Sequence, residues 1–372
     1  MNKGLKALEQ RVLDRGQCAA CGACLSLCPY LRSYRGRIAK LHDCDLEEGR
    51  CFAYCPRTEV DLDEIYRHVY GASCEDVEIG PVRRILMARA KDALLREVGQ
   101  NGGVVSALTD LALREGTIHA AILTRRDADL LPQGYIATNT KDVLACAGSS
   151  YVTGHTLEAL NRGPWQGDER IGAVGLPCQV LALSRMRASQ LDSRTPVDRV
   201  DLVIGLFCTW ALDYKRFITF LRKRFGDRPI SKLDITPPPE RLLNVSVEGA
   251  LNQVPLDEIR SFIRPSCQVC IDMTSEFSDI SIGTVEGKEG WNTVVVRTEK
   301  GEALLHRAEA EGVIETESLP EDKLGHLKEA SLLKKRRALD ALRALGELED
   351  AYLTLPPKMI DRILSETKEV TP

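Results

Sequence analysis

The sequence predicts an α/β core with a smaller α+β part, preceded by a loop-rich cysteine segment and followed by a helical tail. Three observations carry that reading. Eight of the 13 cysteines fall within the first 75 residues, at 18, 21, 24, 28, 44, 51, 55 and 74. From about residue 81, apolar runs of strand length alternate with helical patterns, as in α/β proteins. From Glu321 onward the chain is highly charged and reads as helix. The 372 residues suit two or three domains, predicted at 1–78, 79–320 and 321–372.

The elements follow in order. The first segment shows few apolar runs, as expected where metal rather than a large core holds the fold. Arg83 to Lys91 reads as a strand and its exit. Gly102-Gly103 then opens an amphipathic helix over Val104 to Arg114, with Gly116 as the residue that ends it. Ile118 to Thr124 reads as a buried strand. Ile171 to Leu176 and Asp201 to Phe207 are two more, each followed by a helical pattern. Asp213 is placed to N-cap a helix ending near Gly226. Thr236-Pro237-Pro238-Pro239-Glu240 is a break. Leu242 to Val247 and Asn252 to Leu256 look like strands of a smaller antiparallel part. Asp279 to Gly283 and Asn292 to Thr298 are strands, with a helix from about Glu302 to Glu311. Within the tail, Lys334-Lys335-Arg336-Arg337 reads as a solvated helix face, with docking onto a partner protein as the alternative.

Composition narrows the function. Hydrophobic residues make up 44% and charged residues 28%, with a net charge of −4, so no domain-wide basic excess points to nucleic acid. No apolar run approaches the roughly 18–20 residues needed to cross a bilayer. Residues 1–17 are charged throughout and lack a signal-peptide core. The chain is expected to be cytoplasmic. Thiols stay reduced there, so clustered cysteines point to metal or catalysis rather than disulfides.

Cys18-x2-Cys21-x2-Cys24-x3-Cys28-Pro29 carries the most specific chemistry. Ala19, Ala20, Gly22 and Ala23 let the backbone pass close to a cubane and aim amides at its sulfurs. This is the bacterial ferredoxin spacing, in which the fourth cysteine serves the other cluster. A structural zinc site is the alternative, but zinc usually takes two separated pairs of ligands. Cys51-x3-Cys55-Pro56 repeats only the end of the pattern. Asp45 and Glu48 stand where two earlier cysteines are expected, and Cys44 is one place off register. Crossed ligation assigns Cys18, Cys21, Cys24 and Cys55 to one [4Fe-4S] cluster and Cys28, Cys44 and Cys51 to a second. The second lacks an obvious fourth ligand, with Cys74 the only nearby candidate. Further on, Cys178 and Cys208 sit at strand ends, and Cys267-Gln268-Val269-Cys270 is a close pair. Strand ends on one edge of a parallel sheet converge, so these four can meet.

Several stretches carry a family likeness. They are Gln100-Asn101-Gly102-Gly103-Val104-Val105-Ser106-Ala107-Leu108, Ala147-Gly148-Ser149-Ser150-Tyr151, Leu176-Pro177-Cys178-Gln179, Gly205-Leu206-Phe207-Cys208, Cys267 to Asp272, Asp279 to Gly283 and Gly290 to Thr298. From about Arg84 to Glu317 the chain thereby resembles the beta subunit of coenzyme F420-reducing hydrogenase. Relatives of that subunit include the beta subunit of F420-dependent formate dehydrogenase and 7-hydroxymethyl chlorophyll a reductase. The resemblance implies one FAD per chain, making the α/β core flavin-binding. It also implies a [4Fe-4S] cluster within that core on Cys178, Cys208, Cys267 and Cys270, for two or three clusters in all. Cys146 lies beside a glycine-containing loop motif and is not counted as a ligand. Gly283-Thr284-Val285-Glu286-Gly287 departs from the acidic-then-glycine form expected after that strand, so no role is carried to Thr284 or Glu286.

A flavin dinucleotide needs amide donors for its pyrophosphate. Gly102-Gly103 at a helix start offers them together with the positive end of the helix dipole, and Asn101 and Ser106 can add side-chain hydrogen bonds. A plain turn with a helix cap fits the same residues, and the resemblance favours binding. It also points to Ser149, Ser150 and Tyr151 as a second polar loop on the flavin, with Trp291 and Asn292 placed to contact it from the other domain; a core or lid role for Trp291 is the alternative. No GxGxxG follows a strand, no nucleophile elbow is present, and none of the six histidines has a partner pattern. No side chain is named as catalytic. The function expected is an electron-transfer oxidoreductase subunit working between a hydride carrier (coenzyme F420 or NAD(P)H) or ferredoxin and other redox subunits. A stand-alone ferredoxin-dependent reductase of an organic substrate and a non-enzymatic electron carrier are the alternatives.

Overall fold

The computed structural model describes residues 2–191, 195–236, 240–346 and 352–365. The break at Pro237-Pro238-Pro239 and tail residues 347–351 and 366–372 lie outside the described residues.

The N-terminal head buries a small apolar core. Leu5, Leu8 and Val12 from a helical stretch pack on Leu25, Leu31 and Phe52, with Cys18, Cys24, Cys44 and Cys51 against them. Strands β1 (Leu31–Tyr34) and β2 (Arg37–Lys40) form an antiparallel hairpin. Both turn residues, Arg35 and Gly36, have positive φ, as the twist-matched two-residue turn requires. The short strand β3 (Val60–Asp61) leads into the helix Leu62–Tyr70. Asp61 caps that helix, accepting from the amides of Asp63 at 2.9 Å and Glu64 at 3.2 Å.

The core is a mixed α/β fold. Strands β4 (Arg84–Ala90), β5 (Ala120–Arg126), β6 (Pro132–Ala137), β7 (Ile171–Gly175) and β8 (Val200–Leu206) enter one sheet. Strands β9 (Ile230–Ile235), β10 (Leu242–Val247) and β11 (Ala250–Pro255) form the separate three-stranded antiparallel sheet of the smaller part. Strands β12 (Ile280–Thr284), β13 (Asn292–Val296) and β14 (Ile314–Glu317) complete the main sheet. Its eight strands run β14-β4-β13-β12-β8-β7-β5-β6. β5, β7, β8 and β12 are mutually parallel; β6 and β13 run against them. The near-continuous apolar runs of β7 and β8 are what burial on both faces selects.

Most expected elements stand within two or three residues of their expected ends. The strand expected from Ile118 starts at Ala120, and the helix expected from Glu302 starts at Glu299, where Thr298 accepts from the amide of Gly301 at 3.2 Å. β6, β9 and β14 have no counterpart among the expected strands. They are edge strands with mixed burial, so their apolar signal is weak.

The tail differs most from expectation. It opens as the helix Glu321–Ala344 but then forms strand β15 (Leu353–Thr354), parallel to β3, and the helix Pro357–Ser365. Leu332, Leu339, Leu342, Leu353, Met359 and Ile363 join the same buried cluster as Tyr54, Val60 and Tyr66 of the head and Val180, Ala182 and Met186 of the core. The basic run is not a solvated face. Lys334 is 4% exposed and Lys335 is 0% exposed, while Arg337 points outward. At helical spacing, two adjacent residues can both face a neighbour when the helix is clamped on two sides, and polarity alone does not reveal this.

Candidate redox site

The cysteines gather in three groups, visible in how their sulfurs act on one another. Burial first, then the sulfurs of Cys55, Cys178 and Cys18, push the Cys21 thiol well above its ordinary pKa. Cys24 is raised by burial and then by Cys21, Cys18, Cys55 and Cys51. Cys55 is pushed up to about 12 by burial and by Cys18. Cys18, Cys21, Cys24 and Cys55 are therefore one group. Cys51, pushed up to about 11 by burial, feels Cys28 and Cys44. That makes a second group of three. Cys74 is not beside it: its thiol donates to the Asp76 carbonyl, and its charged neighbours are Glu276, Lys335 and Asp76. Cys146 stands apart from every other cysteine, next to Arg125 and Asp142.

The third group draws on positions far apart in sequence. β7 and β8 are neighbouring parallel strands, so Cys178, in the helix after β7, and Cys208, just past β8, come out side by side. The turn Pro265–Gln268 brings Cys267 to them, and Cys270 follows. Cys178 is pushed up to about 12 by burial and by Cys270, with Cys267 adding to it. Cys208 is raised by burial, then by Cys267, Cys178 and Cys270 against the pull of Lys334. Cys270 alone goes the other way. Burial raises it, but Lys334 and Arg57 outweigh burial, so the thiol sits below its ordinary value.

Two basic side chains face this third group. Arg57 directly follows Cys55-Pro56 and donates to Pro56 O at 3.1 Å, Ser266 O at 3.2 Å and the Tyr352 hydroxyl at 3.1 Å. Lys334 donates to Cys208 O at 2.6 Å and Asp272 O at 2.7 Å. Sequence reasoning assigns neither to a site. The Arg57 signal is its place directly after a Cys-Pro turn. Lys334 gives none.

These residues fit anionic iron–sulfur clusters on one observation: polar atoms buried around the groups lack partners, Arg57 Nε and Arg264 Nε forming no hydrogen bond among the described residues. Arg264 also ties the groups together, donating from Nη2 to Cys18 O at 2.8 Å. Burial and neighbouring sulfurs raise Cys21, Cys24, Cys51, Cys55, Cys178, Cys208 and Cys267, and a bound metal would take up the charge of their thiolates.

The head is fixed to the core at this seam. Leu157 N donates to Cys21 O at 3.0 Å, and Asn161 Nδ2 donates to Ala23 O at 2.9 Å and Leu25 O at 2.7 Å. Gly22 must be glycine: its φ is +88°, and a Cβ there would lie 2.7 Å from His155 O. His155 bonds Ser33 Oγ through Nδ1 at 2.7 Å, and burial together with Arg264 lowers its pKa to about 4.

The loops expected to meet a flavin come together at a second place. Gly102 O accepts from Ala90 N at 2.7 Å, and Gly103, at φ +67°, is the N-cap of the helix Val104–Arg114. Asn292 braces this helix start, its Oδ1 accepting from Val104 N at 3.3 Å and its Nδ2 donating to Gly283 O at 3.1 Å. Asn101 donates to Thr284 Oγ1 at 2.8 Å. Gln100 links this turn to the 149–151 loop. Its Nε2 donates to the Tyr151 hydroxyl at 2.9 Å, and its Oε1 accepts from Ser149 Oγ. The Tyr151 oxygen also accepts from Ile235 N at 2.7 Å. Beside this loop is a cavity of about 190 Å3, lined in part by Ser150, Gly148, Cys146, Thr124 and Arg126. Arg126 donates to Ser231 O at 3.3 Å from Nη2, while its buried Nη1 has no partner. Ser106 is buried on the helix. Trp291 is 5% exposed and packs on Met87 and Val285, with Lys288 and Arg89 over its ring at 4.2 Å and 4.7 Å.

No described helix is long and apolar enough to cross a membrane. Two family profiles of the coenzyme F420 hydrogenase/dehydrogenase beta subunit match the chain. The profile of its N-terminal part covers residues 85–161, and the profile of its C-terminal part covers residues 168–322. The chain is 28% identical to the beta subunit of the coenzyme F420 hydrogenase from Methanothermobacter thermautotrophicus, over 73% of this chain and 97% of that one. It is 28% identical to the coenzyme F420-dependent sulfite reductase of Methanocaldococcus jannaschii, over 92% of this chain but 53% of that longer protein. A chain of the F420-reducing [NiFe] hydrogenase complex from Methanosarcina barkeri superposes with a TM-score of 0.67 and 26% identity, covering 73% of this chain and 94% of that one. With both profiles matched in order over more than half its length, and the same fold in a solved relative, this chain belongs to the coenzyme F420 hydrogenase/dehydrogenase beta subunit family.

Proposed function

We propose that this protein is an oxidoreductase subunit that exchanges hydride with coenzyme F420 at a bound FAD and serves partner redox subunits through iron–sulfur clusters. The observation that carries the reading is the third cysteine group. Four sulfurs from distant parts of the chain converge in the interior, facing two buried cations. An anionic metal group would reconcile that many thiols with that much buried positive charge.

When bound, the flavin supplies conversion between hydride and single electrons, and the clusters supply one-electron transfer. The chain's own residues hold and order these groups. Amides at the start of the helix Val104–Arg114 suit a pyrophosphate, with the free Nη1 of Arg126 a second anion anchor. Gln100, Ser149 and Tyr151 lock the two loops together, so the cavity wall is preset. The first cysteine group adjoins both others: Cys178 of the third acts on Cys21, and Cys51 of the second acts on Cys24. The second group, on the half-exposed Cys28, Cys44 and Cys51 of the head, is where a partner protein would gain access. These three provide one thiolate fewer than a [4Fe-4S] cluster takes.

Anaerobic reduction of the reconstituted protein by reduced F420, NADH and NADPH in parallel tests the reading. Bleaching of a flavin band by reduced F420 alone is the expected result. Absence of any flavin band, or reduction only by a nicotinamide, overturns it.

A further inference from the structure

Lys334 is a buried cation that forms no ion pair among the described residues. It is 4% exposed, and its ammonium donates to two backbone oxygens, Cys208 O at 2.6 Å and Asp272 O at 2.7 Å. The Asp272 carboxylate is committed elsewhere, accepting from Ser275 N at 2.8 Å and Glu276 N at 3.0 Å. The adjacent Lys335 shows the ordinary solution, an ion pair with the buried Glu276. An ammonium taken out of water costs several kcal/mol without a counter-anion, and carbonyl dipoles offset part of that at most. Facing Lys334 are the sulfurs of Cys270 and Cys208, then the Asp272 carboxylate, then the sulfur of Cys267, so sulfur outnumbers carboxylate around the ammonium.

We propose that Lys334 is the fixed counter-cation of the cluster held by Cys178, Cys208, Cys267 and Cys270, and that it raises the reduction potential of that cluster. The inference rests on the cluster reading above. A cluster on four thiolates is anionic and becomes more so when it takes up one electron. No bond forms or breaks in that step, and the ammonium keeps its proton. A cation in the low-dielectric interior stabilises the reduced form more than the oxidised one. Arg57 faces the same sulfurs from the head and is held by three oxygens of its own. Lys334 comes from the helix Glu321–Ala344, beyond residues 85–322 that the family profiles match.

The test is an EPR-monitored redox titration of the full reconstituted chain and of Lys334→Gln and Lys334→Arg. Cys267→Ser identifies the signal of this cluster. In Lys334→Gln that signal should move to lower potential by roughly tenfold in the reduction equilibrium, 59 mV for a one-electron couple. Lys334→Arg should stay near wild type, and the other clusters should not move. Loss of the cluster in Lys334→Gln but not in Lys334→Arg also supports the proposal, since charge then holds the anion in place. An unchanged potential with full iron content overturns it, as does equal cluster loss in both variants. If Cys267→Ser alters neither iron content nor any signal, the cluster reading itself fails, separately from the role of Lys334.

Discussion

Lys335 and Glu276 form an ion pair with side chains 0% and 3% exposed, and Glu276 also accepts from the Tyr66 hydroxyl. Removing one member of such a pair strands a buried charge. Lys335→Met should therefore cost about 3–5 kcal/mol in urea denaturation, while the double change Lys335→Met with Glu276→Gln should cost much less. His155 sets a pH dependence. Its folded pKa lies near 4 against an ordinary 6.5, so between those values the unfolded chain binds a proton that the folded one does not. Stability should fall as pH drops from 6.5 to about 4, by up to about 3 kcal/mol in total. His155→Gln should flatten that slope, and denaturation curves at a series of pH values decide it. The trio Cys28, Cys44 and Cys51 should behave as a three-thiolate site. Mild oxidation is expected to convert its cluster to a [3Fe-4S] form visible by EPR, and Cys51→Ser should remove that signal. A cluster there that resists oxidation would mean a fourth ligand completes it.

At the scale of elements, the turn before the helix Val104–Arg114 is the tightest constraint. Gly103 adopts φ +67°, and a Cβ on Gly102 would fall 2.9 Å from Ala88 O and 2.7 Å from Asn292 Oδ1. Gly102→Ala should thus push the helix start off β4, cost about 1–3 kcal/mol and lower flavin content in the purified protein. Normal flavin content would show that this turn serves packing alone. The helix itself, its Gly116 terminator and the Asp213 cap could be expected because each has a local signal: apolar spacing, a positive-φ glycine, a carboxylate at the N-cap. β6, β9 and β14 have no such signal. An edge strand half in water needs little apolar alternation, and the hydrogen bonds that define it belong to its neighbour.

For the whole molecule, the tail is a clasp. β15 lies on β3, and Tyr352 donates to Val269 O at 2.7 Å while its ring lies 5.1 Å from the Arg57 guanidinium. Deleting residues 352–372 should expose the apolar cluster around Leu353, Leu355, Met359 and Ile363. It should loosen the head from the core, read as protease cleavage near residues 56–80 and loss of iron from the third group. Unchanged iron and protease resistance would show that the helix Glu321–Ala344 holds the seam alone.

The sequence by itself determined the parts that depend on near neighbours. These are the cysteine spacing of the head, the order of strands and helices, and the glycine turn, because ligand geometry and backbone periodicity act over a few residues. Tertiary structure alone decided which distant groups meet. It aimed Arg57 and Lys334 at the group of Cys178, Cys208, Cys267 and Cys270 that strand-end convergence and the family resemblance already led one to expect, placed Cys74 elsewhere, and turned a basic run expected in water into buried counter-charge. The physical reason is that the burial of a charge depends on what packs over it from elsewhere in the chain, and no local pattern of residues records that.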